Sequence, residues 1–581
     1  MLQNYIYFLI ILIFTPVEAS KICLNIDGVN QNFKKNITSR LSTIIYNEEI
    51  INKGLHDNIF QIKLLKSIKE GLRAFGYYEP NINFKWFIVL SHNKIPILVI
   101  YINAGKPIKI INTNINLNGE AKKDLNYQSL IKSSKLKVGT QLNHEDYEKF
   151  KNELSNLALS NGYFDAKFQQ TQLAVSIKRH EALWNIDYDS GLRYHLGDIN
   201  FYGSPVDVIY LKNLIPYKKG DIYNSYILAE LNRRLSATGW FKSVIINPEI
   251  RTASTNKILS LNAFLLPNVE NLIKTGIGYS TDVGFRLKGT WEKPLIDNKG
   301  RNLTTNTYIS PLEQQIDLRY KIPLLESPLE HYYTIASGIK YSNINELKSN
   351  STILTISRNL EDSNWQKQIS LHWSFDHFTQ GELTTNNVML IYPSISLKRI
   401  HSYGGLIPTW GDEQLYLVDI SNPIWGSDVE FLIFQAQNIW IRTLGEKHRF
   451  LVRANFGWIE TNNFNKIPPT LRFFAGGDHS IRGYKYKNVA QYDRNGHLIG
   501  ASKLLTGSLE YQYNLKDKWW SAIFIDSGEA VNDLRDNHFK IGTGIGVRWL
   551  SPLGPIKFDI VLPIDNKEHC LQFYVGLGLE L

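Results

Sequence analysis

The feature that most constrains the fold is a series of short segments, running to the C-terminus, in which apolar and polar residues alternate. The last segment has apolar residues on one face and polar or small residues on the other: Leu571, Phe573, Val575, Leu577, Leu579 and Leu581 against Gln572, Tyr574, Gly576, Gly578 and Glu580. Strands of about 9–11 residues with this period cross a bilayer when every backbone polar group pairs with a neighbouring strand. The alternation therefore predicts a transmembrane β-barrel with lipid outside and water inside.

The length and composition of the chain indicate several domains, one of them in a membrane. A chain of 581 residues is too long for one compact domain. Aromatic residues make up 12 %, which suits the girdles of a barrel, while a mean hydropathy of −0.22 excludes a bundle of transmembrane helices. The formal net charge of +10 comes from scattered Lys and Arg residues rather than a basic stripe, so no nucleic-acid partner is expected.

The N-terminus has the pattern of a secretory signal. An apolar run from Tyr5 to Phe14 precedes the small-residue cleavage pattern that ends at Ala19, which predicts a signal peptide over residues 1–19. Cys23 and Cys570 lie at opposite ends of the chain, so no disulfide framework is expected and both are interpreted as ordinary residues.

Three related units precede the barrel. A helix that ends at a glycine and leads into an aromatic-anchored strand recurs at Gly76, Gly162 and Gly239, with a period of roughly 80 residues. Each glycine is expected to form a left-handed helix cap. The repeats predict α+β domains at 20–104, 105–188 and 189–267, each with an exposed sheet edge. The edges accept an extended peptide by strand addition, or the domains are spacers; the sequence leaves both open.

The barrel is predicted to span residues 268–581. About 310 residues, at about 10 per strand plus connections, suit sixteen antiparallel strands. The segment from Ile541 to Trp549 alternates with glycines, and the turn at 551–555 leads into a second alternating strand that begins at Ile556. Charged residues such as Lys557 are expected to point inward, toward water.

Enzyme signatures are lacking in the sequence. His144 and His180 have no second histidine at the spacing of a zinc helix, and no nucleophile-elbow motif occurs. The glycines from Gly542 to Gly546 lie in an alternating strand without a following helix, which argues against a dinucleotide loop. No catalytic residue, metal site or cofactor is predicted.

Two segments contain more polar and glycine residues than a simple barrel needs. The first is Ile481-Arg482-Gly483-Tyr484 in a long loop, and the second is the strand Phe524–Gly528, in which Phe524, Asp526 and Gly528 share the lumen face. If the loop folds into the lumen, Arg482 pairs with Asp526, Phe524 packs on the guanidinium and Gly528 leaves room. Otherwise Arg482 is a solvated loop charge.

Sequence motifs along most of the chain resemble those of the TamA family, the outer-membrane subunit of the translocation and assembly module. They are RFFAGGDHSIRGYKYK, FIDSG, GIGVRWLSPLGPIKFDI, RRLSATGWF and GYSTDVG. The resemblance implies three periplasmic POTRA domains, a sixteen-stranded barrel in the bacterial outer membrane, and insertion or secretion of autotransporters and other barrel proteins. It also implies a TamB-like periplasm-spanning partner, which we expect on POTRA 1.

The resemblance also assigns roles to the two segments. Arg482, Gly483 and Tyr484 match the family's loop motif, and the lumen strand motif is matched by a second set: Phe524, Asp526 and Gly528. Leu581 stands where many outer-membrane proteins end in Phe, so the C-terminal assembly signal is assigned to Phe573 and Leu581.

The junction of the first and last strands is the expected lateral gate. Glycines weaken strand interiors, and they occur on both sides of this junction: Gly276, Gly278, Gly576 and Gly578. We expect the opened edge to template unfolded outer-membrane protein clients by hydrogen bonding while the barrel wall perturbs nearby lipid.

Several alternatives remain. A related general barrel assembler would carry more POTRA units, and a two-partner secretion transporter fewer. A passive porin would need neither the repeats nor the Arg482 motif. A phospholipid-transport conduit that works with the TamB-like partner stays open.

Overall fold

The structure is a computed structural model that describes residues 23–45, 58–88, 96–345, 347–362, 364–380, 384–405, 408–533, 535, 538–551, 554–564 and 571–577. The predicted signal peptide, Cys570, Gly578 and Leu581 lie outside the described residues. None of the helices in the described ranges is long and apolar enough to cross a membrane.

Three small α+β domains precede the barrel, and their three-stranded sheets share one strand order. The strands are β1 (Cys23–Asp27), β2 (Asn81–Ile88) and β3 (Pro96–Asn103) in the first; β4 (Lys109–Asn118), β5 (Lys167–Ser176) and β6 (Glu181–Asp189) in the second; and β7 (His195–Tyr202), β8 (Phe241–Pro248) and β9 (Ile258–Pro267) in the third. The sheets are ordered β1-β3-β2, β4-β6-β5 and β7-β9-β8. The last strand of each domain is central, and the common order explains the repeat seen in the sequence.

Helices cover one face of each sheet. They are α1 (Gln31–Ile45) and α2 (Asn58–Arg73), α3 (Leu125–Ser133) and α4 (His144–Asn161), and α5 (Val208–Lys212) and α6 (Ser225–Ala237). In the first domain the buried helix residues Leu41, Leu64 and Ile68 pack on Leu98 and Ile100 of β3. The predicted boundaries after residues 104, 188 and 267 stay predictions.

The glycine at the end of α4 forms the cap that the repeats predict. Gly162 has φ +83°, in the left-handed region, and its N–H donates to the carbonyl of Ala158. A Cβ at this position would lie 2.8 Å from the Tyr223 ring, so a side chain is excluded by space as well as by conformation.

Sixteen antiparallel strands form a closed barrel in chain order, as the alternation predicts. Their bounds are β10 (Leu272–Ser280), β11 (Gly284–Lys293), β12 (Asn302–Ile309), β13 (Glu313–Pro323), β14 (His331–Ile344), β15 (Leu347–Glu361), β16 (Gln366–Gln380), β17 (Thr384–Tyr403), β18 (Trp410–Ser421), β19 (Phe431–Leu444), β20 (His448–Thr461), β21 (Lys503–Lys516), β22 (Trp519–Val531), β23 (Lys540–Ser551), β24 (Gly554–Pro563) and β25 (Gln572–Leu577). The predicted fold class, three α+β domains and a sixteen-stranded barrel, is confirmed.

The barrel is apolar outside and polar inside. On β22 the outward Ile523 and Ile525 are 57 % and 46 % exposed, while Phe524 and Asp526 point inward and are buried. Only an apolar surrounding accommodates such an outer face, since apolar area in water costs about 25 cal/mol per Å².

Part of the third small domain packs with the barrel in one compact unit, which holds residues 199–216, 229–247 and 262–581. Trp240 Nε1 donates to the Gly300 carbonyl at 2.9 Å, and Arg234 Nη1 lies 2.6 Å from Glu330 Oε1. The turns after β11 and β13 are thereby tied to this domain.

Candidate functional site in the barrel lumen

The loop between β20 and β21, residues 462–502, folds into the barrel, and we call it the lumen loop. Ile481, Arg482 and Tyr484 are 0 %, 3 % and 8 % exposed, which places the loop motif within the lumen rather than in solvent. A charged side chain buried to this degree needs partners that compensate for its lost hydration.

Asp526 of β22 is the main partner of Arg482. Arg482 Nε donates to Asp526 Oδ2 at 2.7 Å, Nη2 donates to Oδ1 at 2.9 Å, and the backbone N–H of Arg482 donates to Oδ2 at 3.0 Å. The Phe524 ring centroid lies 3.3 Å from Arg482 Cζ. The bidentate pair fixes the direction of the guanidinium, and the ring covers its face.

The Arg482–Asp526 pair belongs to a larger charged cluster, which we call the lumen cluster. Arg482 Nη1 lies 2.8 Å from Glu510, Arg548 Nη2 lies 2.7 Å from the same carboxylate, and both arginines contact Asp559. All five residues are at most 5 % exposed. Two cations therefore face three carboxylates, and removing one arginine leaves still more buried negative charge uncompensated.

The other two residues of the loop motif contact the last strands. The Gly483 N–H donates to the Tyr574 hydroxyl of β25 at 3.1 Å, and the Tyr484 hydroxyl donates to the Ile541 carbonyl of β23 at 3.3 Å. Gly483 has φ +94°, and a Cβ there would lie 3.1 Å from the Pro563 nitrogen. Only glycine combines this conformation with this close approach.

Glycines of β23 make room for the lumen loop and for the ring that covers Arg482. A Cβ at Gly542 would overlap the Arg482 carbonyl oxygen, and one at Gly544 would lie 2.5 Å from Phe524 Cζ. The sequence interpretation of this segment as an ordinary strand missed that role. The room expected at Gly528 is used differently: a Cβ there would lie 2.5 Å from the Leu505 carbonyl, so Gly528 admits the neighbouring strand β21 rather than the loop.

Asp478 connects the lumen loop to strands on both sides of the barrel junction. Its Oδ2 lies 3.1 Å from Arg286 Nη1 on β11 and 3.9 Å from Lys557 Nζ on β24. Further along the loop, Lys487 Nζ lies 2.7 Å from Glu313 Oε1 on β13. No local sequence signal points to Asp478 beyond its place two residues after Gly476, because its partners are distant in the chain.

We call the junction of β10 and β25 the seam. Its described residues pair at three positions: Gly278 with Gly576, Tyr279 with Val575, and Ser280 with Tyr574. Among the described residues every other neighbouring pair is matched at six to fifteen positions. No described residue of β25 pairs with Leu272–Ile277, which include Gly276. Of the predicted gate glycines, Gly278 and Gly576 face each other.

Phe573 of the predicted assembly signal lies on β25 and is 39 % exposed on the outer face. Its carbonyl accepts from the Thr281 N–H at 3.1 Å, at the end of the seam. Its role as an assembly signal stays a prediction.

The barrel and the small domains before it were compared with known proteins. A family model for the Omp85 superfamily domain matches residues 246–581, more than half of the chain. The chain belongs to the Omp85 superfamily. The model for the first POTRA domain of TamA matches 23–87, and the POTRA model, described as a surface antigen variable number repeat, matches 111–189 and 194–263.

Curated relatives share part of this Omp85 chain. It is 22 % identical over 402 residues to the outer membrane protein assembly factor BamA of Nitratidesulfovibrio vulgaris, covering 62 % of this chain and 48 % of the relative. It is 29 % identical over 143 residues to the chloroplastic outer envelope protein 80 of Arabidopsis thaliana, covering 23 % and 17 % of the two chains. The chain thus spans less than half the length of either relative.

A solved structure has the same fold. BamA from Haemophilus ducreyi lacking POTRA domains 1–3 superposes with a TM-score of 0.66 at 16 % identity, covering 81 % of this chain and 99 % of that one. With its Omp85 domain and its POTRA matches, the chain is an outer-membrane β-barrel protein with periplasmic POTRA domains.

Proposed function

We propose that this Omp85 protein is the outer-membrane subunit of a translocation and assembly module. It promotes insertion and secretion of autotransporters and other β-barrel proteins through a lateral gate at the seam. The observation that carries the proposal is the three-position pairing of β10 with β25, against six to fifteen positions elsewhere in the described barrel.

The physical basis is the edge of β10 along Leu272–Ile277, which pairs with no described residue of β25. Unpaired backbone N–H and C=O groups in a bilayer cost several kcal/mol each, so an edge at the seam favours pairing with an incoming strand. Because backbone hydrogen bonds do not depend on side-chain identity, clients of different sequence are accepted. Folding of the client in the bilayer supplies the free energy, and no nucleotide is required.

The lumen loop controls how easily the seam opens. Asp478 reaches β11 and β24, Gly483 reaches β25, and Arg482 anchors the loop to β22. Since the described residues of β10 and β25 pair at three positions, these contacts supply a share of the stability of the closed barrel. Release of the loop then lowers the cost of opening.

The assignment to a translocation and assembly module, rather than another Omp85 transporter, is supported by the match of residues 23–87 to the first POTRA domain of TamA. A TamB-like periplasm-spanning partner binds this domain in the proposal. Co-purification from native membranes tests it: the partner is retained by the full chain and lost when residues 23–103 are deleted. Equal retention by both proteins contradicts the assigned contact.

A disulfide across the seam tests the gate. Tyr279 and Val575 face each other on the outer side, so Tyr279→Cys with Val575→Cys, in a Cys23→Ser, Cys570→Ser background, locks the seam when oxidised. Client insertion into vesicles is expected to stop on oxidation and return on reduction. The matched control pairs Leu354→Cys with Trp373→Cys, which lie opposite each other on β15 and β16. Full insertion with the locked seam would rule out the gate.

A further inference from the structure

The turn between β17 and β18 reaches into the barrel lumen from the POTRA side. β10 follows the third POTRA domain, so in a barrel of antiparallel strands in chain order the turns after β11, β13, β15 and β17 lie at the periplasmic end. Pro408 of the last of these turns is buried, and its carbonyl oxygen accepts from Arg449 Nε of β20 at 2.9 Å. The lumen loop, which follows β20, enters from the opposite, outer end.

A backbone conformation that needs glycine holds Pro408 in place. Gly404 has φ +107°, and a Cβ there would lie 2.7 Å from the Thr409 nitrogen. The Thr409 N–H donates to the Tyr403 carbonyl at 2.8 Å, which closes the turn. A side chain at Gly404 therefore has to displace Thr409, and Pro408 moves with it.

Arg449 connects this turn to β21. It lies directly opposite Gln512 in the pairing of β20 with β21, and its Nη1 donates to Gln512 Oε1 at 2.6 Å. Arg449 and Gln512 are 1 % and 0 % exposed. One buried guanidinium thus bonds the periplasmic turn through one nitrogen and the barrel wall through another. Water does not replace an acceptor that it loses, so movement of the turn changes the position of Arg449.

Gln512 continues the connection to the lumen cluster. Its Nε2 donates to Glu510 Oε1 at 2.7 Å, and Glu510 Oε2 accepts from Arg482 Nη1 at 2.8 Å. An amide suits this place between a cation and an anion, because its oxygen accepts from Arg449 while its nitrogen donates to Glu510. A hydrogen-bonded chain therefore runs from the periplasmic turn to the arginine that anchors the lumen loop.

We infer that Arg449 and Gln512 are positioning residues, which transmit a displacement of the periplasmic turn to the lumen cluster and so release the lumen loop. The four hydrogen bonds that lead from Pro408 to Arg482 all join buried groups. Moving one group without the next leaves a buried donor or acceptor unpaired, so the groups move together. The consequence for insertion rests on the proposed function: a client that displaces the turn from the periplasm lowers the cost of opening the seam.

The connection is tested on the purified full-length protein in detergent, with the rate of protease cleavage within residues 490–497 of the lumen loop as the readout. Gly404→Ala displaces the periplasmic turn, and we expect cleavage of the loop to become about tenfold faster, the scale of one hydrogen bond to a charged group. The matched control is Gly445→Ala, in the turn between β19 and β20 at the same end of the barrel. Gly445 also has a positive φ, +64°, but a Cβ there meets no atom of the described residues within 4 Å, so this variant should be cleaved as the parent is. Heat-dependent gel mobility shows that each variant is folded.

A double-mutant cycle separates transmission from a general loss of stability. Gln512→Met interrupts the connection between Arg449 and Glu510 without changing a charge or the turn, and alone it should speed cleavage about tenfold. Adding Gly404→Ala to this variant should change the rate by about twofold or less, because displacement of the turn no longer reaches Glu510. The inference is wrong if the two effects multiply, if Gly404→Ala is cleaved like the parent, or if Gly445→Ala is cleaved as fast as Gly404→Ala. The assay contains no client, so its failure leaves the seam-disulfide experiment to decide the proposed gate.

Discussion

Asp478 Oδ2 lies 3.1 Å from Arg286 Nη1, so a carboxylate of the lumen loop is bound to the second strand of the barrel. The same oxygen lies 3.9 Å from Lys557 Nζ on β24, the second-last strand. One side chain thus contacts strands that flank the seam on opposite sides. The loop is a connection across the seam as well as an occupant of the lumen.

Asp478→Asn should loosen the seam. The substitution keeps the shape but removes the charge that attracts both cations, and it weakens the closed state by about 1–3 kcal/mol. The yield of the disulfide between Tyr279→Cys and Val575→Cys should fall, because the two positions spend less time opposite each other. Asp493→Asn is the control, since the contacts of Asp493 lie within the loop, to Asn495 and His497. If both substitutions lower the disulfide yield equally, Asp478 has no specific role in holding the seam closed.

Arg482→Ala should destabilise the barrel by about 3–5 kcal/mol, because it leaves Asp526, Glu510 and Asp559 buried with one cation. Arg482→Lys keeps the charge but cannot form the bidentate pair, so its loss should be smaller. Urea unfolding followed by gel mobility measures both. Arg494→Ala, an exposed arginine of the same loop, should leave the unfolding midpoint unchanged. If the Arg482→Ala variant unfolds at the same urea concentration as the parent protein, the expected destabilisation is wrong.

Alternation along the strands was sufficient to predict the architecture. A strand buried on one face and facing lipid on the other must place every second residue in each environment, so Phe524 and Asp526 could be assigned to the lumen from the pattern alone. The pairing of Arg482 with Asp526 followed from the motifs and the family resemblance.

The rest of the site depends on contacts that no local pattern encodes. Glu510, Arg548 and Asp559 look like ordinary lumen-facing charges, and only the closure of the barrel brings them to Arg482. Gly542 and Gly544 resemble weak points of a strand, although the space at Gly542 is filled by the Arg482 carbonyl of the loop and the space at Gly544 by the Phe524 ring of β22. The number of paired positions at the seam could likewise not be predicted from the strand patterns.

Gly542→Ala should displace the lumen loop. The new methyl group would overlap the carbonyl oxygen of Arg482, and backbone on both sides leaves little freedom to adjust, so a cost of about 1–3 kcal/mol is expected. Protease cleavage within residues 490–497 should become faster because the loop no longer packs against β23. Gly289→Ala on β11 is the matched control, because a Cβ there meets no atom within 4 Å. Equal cleavage rates for the two variants would show that the loop does not depend on this space.

The junction between the first two POTRA domains should weaken below neutral pH. His144, at the start of α4, has its Nε2 2.9 Å from the Tyr78 hydroxyl, and Arg73 stacks on the Tyr78 ring with its Cζ 4.9 Å from the centroid. Burial, and then the charge of Arg73, lowers the pKa of His144 below its usual 6.5. The folded protein therefore binds fewer protons than the unfolded chain once the pH falls below 6.5.

The stabilising contribution of neutral His144 is complete above pH 6.5 and is lost as the pH falls toward the lowered pKa, with a slope of at most about 1.4 kcal/mol per pH unit. Thermal unfolding of the POTRA region at pH 7.5 and 5.5 should show a drop in midpoint that His144→Gln reduces. His195→Gln is the control, since His195 lies on β7 and bonds the Gly220 carbonyl. Glutamine cannot take up the proton that is repelled by Arg73. If the His144→Gln variant still shows the full drop in unfolding midpoint, protonation of another group causes the pH dependence.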